Sequence, residues 1–144
     1  MKLRTSFFLL SAMMLIPALH ARADVPMNEQ HFDSGVEGAE KETVLLTEHG
    51  LEPPVMTLKK LDGSVFFVNT TKESLATVEV NFGEKRVHCA SENMKYDNGV
   101  LHSIKPVGPR DFALMCFPDK GTYNVTVRGV DGTTKSYTGA VSVE

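Results

Sequence analysis

From residue 43 to the end of the chain, apolar residues come in short runs and in alternation with polar ones. No period near 3.6 persists for the length of a helix, so the pattern is that of strands. Residues 43–47 (TVLLT) form a first apolar run, and 51–61 (LEPPVMTLKKL) a second whose two prolines place its start at a sheet edge or bulge. Residues 64–69 (SVFFVN) are β-branched and aromatic, the composition of a buried strand. In 75–82 (LATVEVNF), Ala76, Val78, Val80 and Phe82 alternate with Thr77, Glu79 and Asn81. Residues 86–107 are irregular, with a turn at Asp97-Asn98-Gly99. Residues 110–117 (RDFALMCF) are apolar on both faces. A tight hairpin is expected at 118–121, followed by a strand in which Tyr123, Val125 and Val127 alternate with Thr122, Asn124 and Thr126, and by a closing strand over 137–143. Asp62-Gly63 and Asp131-Gly132 are further turn signals. This spacing predicts an all-β, antiparallel Greek-key β-sandwich of seven to eight strands.

The front of the chain has a different character. Lys2 and Arg4 precede an apolar run of about a dozen residues, too short to span a bilayer comfortably. Ala21-Arg22-Ala23 then supplies small residues for a signal peptidase. The expectation is a signal peptide over 1–23, a flexible polar leader over 24–42 and one domain over 43–144, periplasmic or secreted. The formal net charge is −3, and the signal peptide carries Lys2, Arg4 and Arg22 without an acid, so the exported chain is more acidic still. That field opposes nucleic acid as a partner. No other apolar run is long enough to span a membrane, and a periplasmic protein of unknown identity is a possible partner. Phosphate loops, zincin helices and nucleophile elbows are missing from the sequence, and no catalytic residue is assigned; the expectation is a non-enzyme. Asn69-Thr70-Thr71 and Asn124-Val125-Thr126 match the glycosylation pattern.

Three phrases carry a resemblance. They are Leu61-Asp62-Gly63-Ser64-Val65-Phe66-Phe67-Val68-Asn69, the Phe117…Gly121-Thr122-Tyr123 hairpin, and Gly139-Ala140-Val141-Ser142-Val143. In these the chain resembles the cupredoxin-like family, small β-sandwiches that carry blue copper. The resemblance implies copper as cofactor, and copper binding or handling, or accessory work in electron transfer, as function. Blue-copper sites use two His, a Cys and a weak axial ligand. The family's first His falls at Leu75 or Ala76, its Cys at Val127, its second His at Val130 and its axial residue within 133–136 (TTKS). None of these is a ligand, so the ordinary blue site is not expected.

The remaining candidate chemistry lies in the two cysteines, Cys89 and Cys116. Export to an oxidising compartment makes a Cys89–Cys116 disulfide the default. By strand parity Phe112, Leu114 and Cys116 face away from the core that holds Phe117, Tyr123 and Val125, and that second apolar face needs a cover. The excursion 83–109, pinned by such a disulfide, is expected to supply it. A second reading makes His88, Cys89 and Cys116, with Met94, a soft-ligand site of the kind that selects Cu(I). In a third, Cys89 is a nucleophile beside His88, an adjacency that seldom gives hydrogen-bond geometry. The alternative function is a metal-free, disulfide-stabilised binding or assembly module of the cell envelope, without a cofactor.

Overall fold

The computed structural model describes residues 39–144. The expected signal peptide, residues 1–23, and the leader as far as residue 38 lie outside them.

The described residues form ten strands and no helix: β1 (Lys41–Thr47), β2 (Gly50–Glu52), β3 (Val55–Leu58), β4 (Gly63–Asn69), β5 (Thr77–Asn81), β6 (Met94–Asp97), β7 (Val100–Ser103), β8 (Phe112–Phe117), β9 (Gly121–Arg128) and β10 (Ser136–Val143). They pair into a four-stranded sheet, β2-β1-β4-β8, and a six-stranded sheet, β3-β10-β9-β5-β7-β6. The all-β class is as expected, but the strand count exceeds seven to eight and the sheets are mixed rather than antiparallel. β1 runs parallel to β4, and β10 parallel to β3. Parallel neighbours need a crossover. Between β1 and β4 it runs through β2 and β3: Pro53 and Pro54 stand between them, where the chain leaves one sheet for the other.

The six-stranded sheet gains its extra strands from the stretch that looked irregular. Asn98 (φ 49°) and Gly99 (φ 85°) both have positive φ, the requirement of a type I′ turn, and they join β6 to β7. The turn signal was in the sequence, but the flanking MKYD and VLHS are too short to show a period.

The segment 118–120 is also not a hairpin. β8 pairs with β4, whereas β9 pairs with β5 and β10, so Pro118-Asp119-Lys120 forms a corner at which the chain changes sheets. Phe117 enters the core from one sheet and Tyr123 from the other, and their rings meet edge to face at 4.9 Å. Phe82 stacks on Phe117 at 5.6 Å and meets Tyr123 at 4.9 Å. The Tyr123 hydroxyl escapes this apolar setting by donating to Asp119 O at 2.7 Å. Burial holds the phenol above its ordinary pKa. Val44, Leu46, Val65, Phe67, Ala113 and Met115 fill the rest of the core from one sheet, and Val78, Val80, Val125, Val127, Val141 and Val143 from the other. The period-2 alternation seen in the sequence is thus the inside–outside alternation of the strands.

Candidate functional site

Copper needs donor atoms, and the end of the sandwich where the resemblance implies one offers hydrocarbon. Ala76, Val127 and Val130 are fully buried. Ala76 is bridged to Val107, also buried, with their backbone groups bonded at 2.6 and 3.0 Å. Leu75 points outward, 56% exposed. At Gly129 (φ 85°) a side chain would strike the Leu75 carbonyl, which locks the two loops together. Residues 133–135 belong to the β9–β10 connection and Ser136 opens β10; in that connection Asp131 accepts from the Thr133 N–H and hydroxyl at 3.0 and 2.8 Å. These residues do not fit a copper ion.

Beneath them is a polar knot that the sequence did not announce. Asn69 is buried, and its amide donates to Ser74 O at 2.9 Å and Val107 O at 2.8 Å. Its Oδ1 accepts from the Thr71 N–H and hydroxyl at 3.0 and 2.7 Å. Every hydrogen-bonding group of this side chain that the low-dielectric interior would penalise is therefore matched. Asn69 ties the loop after β4 to the segment before β8 and, so buried, is closed to glycosylation in the folded chain. Its counterpart Asn124 is exposed on β9.

The candidate ligands named from sequence do not converge on one point. Cys89 and Cys116 are joined to each other in a disulfide, with Cα atoms 5.1 Å apart. His88 is on the surface, 61% exposed, with Nδ1 at 3.2 Å from Asp62 Oδ1. Met94 is buried in the core, as is Met115. Among the described residues no group of three or more His, Cys, Asp or Glu is placed to hold a metal ion.

The excursion that carries Cys89 meets β8 differently from expectation. It lies against the strand's edge and, among the described residues, leaves the outer face open. That face is apolar across three strands: Leu45 is opposite Val68, Val68 opposite Phe112, and Phe66 opposite Leu114. The Phe66 and Phe112 rings are 5.6 Å apart, and Phe112 remains 45% exposed. The physical reason is hydrogen bonding. The excursion donates to and accepts from β8 in the plane of the sheet, which places it beside the strand rather than over its side chains.

A second feature of the excursion escaped the sequence reading. Arg86 clamps the corner residue Asp119, with its backbone N–H at 3.0 Å from Oδ2 and Nη2 at 2.8 Å from Oδ1. Beside it the Lys85 ammonium lies 4.8 Å from the centre of the Tyr123 ring. Arg86's hydrogen bonds hold the Asp119 carboxyl below its ordinary value of 3.8. A depressed carboxylate contributes stability that is complete above its unfolded value and disappears as pH falls through the folded one. Asp119→Asn is therefore expected to lower the urea midpoint at neutral pH and to match the wild type increasingly as pH drops to about 3 and below. Parallel urea titrations of the two proteins read this directly. A gap that stays constant with pH refutes the role of the charge.

No family model matches the chain, and no curated protein sequence matches it significantly. Solved structures do. A copper(I) form of an amicyanin variant superposes with a TM-score of 0.51 at 17% identity, over 76% of this chain and 85% of that one. The oxidised form of another amicyanin variant gives 0.50 at 18% identity, with the same coverage. The fold is a cupredoxin fold. At this identity the likeness extends to the fold alone, and auracyanin from Roseiflexus castenholzii, at 16% identity over 74% of this chain and 99% of that one, has a TM-score of 0.43. On this cupredoxin frame the valines at 127 and 130 are core residues, and the two cysteines make a staple.

Proposed function

We propose that this chain is an exported, non-catalytic binding or assembly module that keeps the cupredoxin fold without the family's copper chemistry. One observation carries the reading. The positions where the resemblance implies the two His and the Cys are Ala76, Val127 and Val130, which are buried and have no side-chain donor atom, and Leu75, which faces solvent. Both thiols that could substitute are consumed in the Cys89–Cys116 bond. A fold does not fix a function, and a scaffold with its site filled by core residues still presents faces and edges to partners. The disulfide supports export, since such bonds form and persist in oxidising compartments. The disulfide and the signal-peptide pattern of residues 1–23 both support the reading of a periplasmic or secreted protein.

Copper handling is the competing reading. It needs Cys89 and Cys116 as thiolates with His88 turned toward them, and thiolate ligands suit Cu(I). The deciding experiment loads the purified protein with Cu(II), and separately with Cu(I) under ascorbate, passes each sample over a chelating resin and measures bound copper by mass spectrometry. The expected result is no retained copper and no intense blue absorption. Stoichiometric copper that survives the resin and is lost in Cys116→Ser establishes copper handling instead.

A further inference from the structure

β8 is the last strand of its sheet, and its outer edge is occupied. Residues 89–91 lie along it. The Cys116 N–H donates to Cys89 O at 3.0 Å, and the Ser91 N–H donates to Leu114 O at 2.8 Å, with Ala90 opposite Met115 as one antiparallel bridge. The Ser91 hydroxyl takes the Leu114 N–H at 2.6 Å. The Cys89–Cys116 disulfide sits at the end of this contact. A single bridge is too short to persist by pairing alone. The covalent bond holds it.

The two ends of the excursion have anchors of their own. Arg86 is clamped to Asp119. Asn93 exchanges two hydrogen bonds with Lys105, at 2.8 and 2.9 Å. The stretch between them, 88–91, is held by the disulfide, the bridge, the Leu114 N–H on the Ser91 hydroxyl, the Met94 N–H on Ser91 O at 2.9 Å and the exposed His88–Asp62 contact. Both cysteines are half-buried rather than sealed in the core. Cutting the disulfide removes the covalent tie of the middle of the excursion and leaves the anchors at its ends untouched.

What that uncovers is a strand acceptor. The edge offers the Leu114 and Cys116 N–H groups and the Leu114 carbonyl. Next to it lies the open apolar face of Phe66, Val68, Phe112 and Leu114. Strand addition uses these two elements together: main-chain hydrogen bonds for affinity, and contacts for every second side chain for specificity. Residues 89–91 already occupy the edge in the manner of such a strand.

We infer that the outer edge of β8 is a docking site for an extended strand of a partner protein, with apolar residues at alternate positions, and that the Cys89–Cys116 disulfide keeps this site closed. The inference rests on the metal-free binding reading above. Opening requires a dithiol. Its first thiolate attacks one cysteine sulfur, forming a mixed disulfide and releasing the other cysteine as a thiolate; its second then attacks the donor's own sulfur in that mixed disulfide and releases the first cysteine. The donor leaves as a disulfide, two electrons pass to the protein, and Cys89 and Cys116 each end as a protonated thiol.

The test uses the exported chain, oxidised and after treatment with dithiothreitol. Amide hydrogen exchange is followed by NMR, and each form is titrated with a seven-residue peptide of alternating valine and threonine closed by a lysine at each end. On reduction the Leu114 and Cys116 amides are expected to exchange roughly 100-fold faster while the central strands β5 and β9 keep their protection. The reduced form is expected to bind the peptide, with shift changes centred on residues 112–116, at least about tenfold more tightly than the oxidised form. The double variant Cys89→Ser/Cys116→Ser is expected to bind as the reduced protein does, without dithiol. Unchanged exchange at Leu114 and Cys116, loss of protection throughout the domain, or equal binding by both forms overturns the inference. So does pairing of the reduced chain with a second copy in place of the peptide, read by sedimentation. Copper measured on the same samples separates the two levels. Copper retained by the reduced chain overturns the metal-free reading, whereas a copper-free chain whose edge stays closed overturns the docking site alone.

Discussion

Replacing Cys89 and Cys116 together by serine is expected to lower the unfolding free energy by about 3–4 kcal/mol. The bond closes a sequence separation of 27 residues, and the cost of forming that loop then falls on folding instead of being settled in the unfolded chain. Set against the ~5–15 kcal/mol of an ordinary domain, the variant stays folded but with a clearly lower urea midpoint. Native packing around the bond is thin, since the sulfurs lie on the outward side of β8 and the inward side belongs to Ala113, Met115 and Phe117. The loss is therefore expected mainly through the unfolded ensemble, and the m-value is expected to rise as the untethered chain exposes more surface. Urea unfolding of the oxidised wild type against the double variant measures both quantities. A loss under about 1 kcal/mol means that the excursion is held by its other contacts.

Phe117→Ala is expected to cost about 3–5 kcal/mol. Phe117 is fully buried and touches the rings of Phe82 and Tyr123, so its removal leaves a cavity at the point where both sheets and the 118–120 corner meet. The neighbours cannot collapse into it easily, because the Tyr123 hydroxyl is fixed to Asp119 O and Lys85 lies over the Tyr123 ring. Phe112→Ala, on the same strand but on the open face, is the control. It forfeits one ring contact with Phe66 and is expected to cost about 1 kcal/mol. Chemical denaturation of the two variants tests the assigned parity of β8. Similar losses would contradict it.

Much of the fold was legible because strand parity is a local property. The alternation of Tyr123, Val125 and Val127 with Thr122, Asn124 and Thr126 fixed which side of β9 is buried without knowledge of its neighbours. The same parity placed Cys116 on the outer side of β8, where the disulfide is found. What parity does not encode is which strand pairs with which. Phe117 and Tyr123, on either side of a Pro-containing turn, read equally well as a hairpin and as a corner between sheets. The distinction lies in β8 pairing with β4 and β9 with β5, contacts remote in sequence. The parallel pairs β1–β4 and β3–β10 were hidden for the same reason.

The candidate site was legible mainly as a list of residues without ligand atoms. Val127 and Val130 announce by chemistry alone that they cannot bind copper, and their burial adds the reason they are valine. The Asn69 knot was invisible because its partners are backbone carbonyls at Ser74 and Val107, and a carbonyl is present whatever the residue. Arg86 and Asp119 gave no signal either, being a pair far apart in sequence whose meeting depends on the corner.

The closing strand has one further consequence. β10 lies between β3 and β9, so the six-stranded sheet joins residues near 55 to the last residues of the chain. A polypeptide delivered from its N-terminus has β3 long before it has the neighbour on which β3 must pair. Topologies dominated by such distant contacts fold slowly, because the entropy of closing the long loop precedes the contacts that reward it. For this chain, completion waits on its final eight-residue strand. Until β10 arrives, β3 has no strand to pair with and β9 carries an open edge, so the six-stranded sheet stays incomplete although the four-stranded one has all its strands.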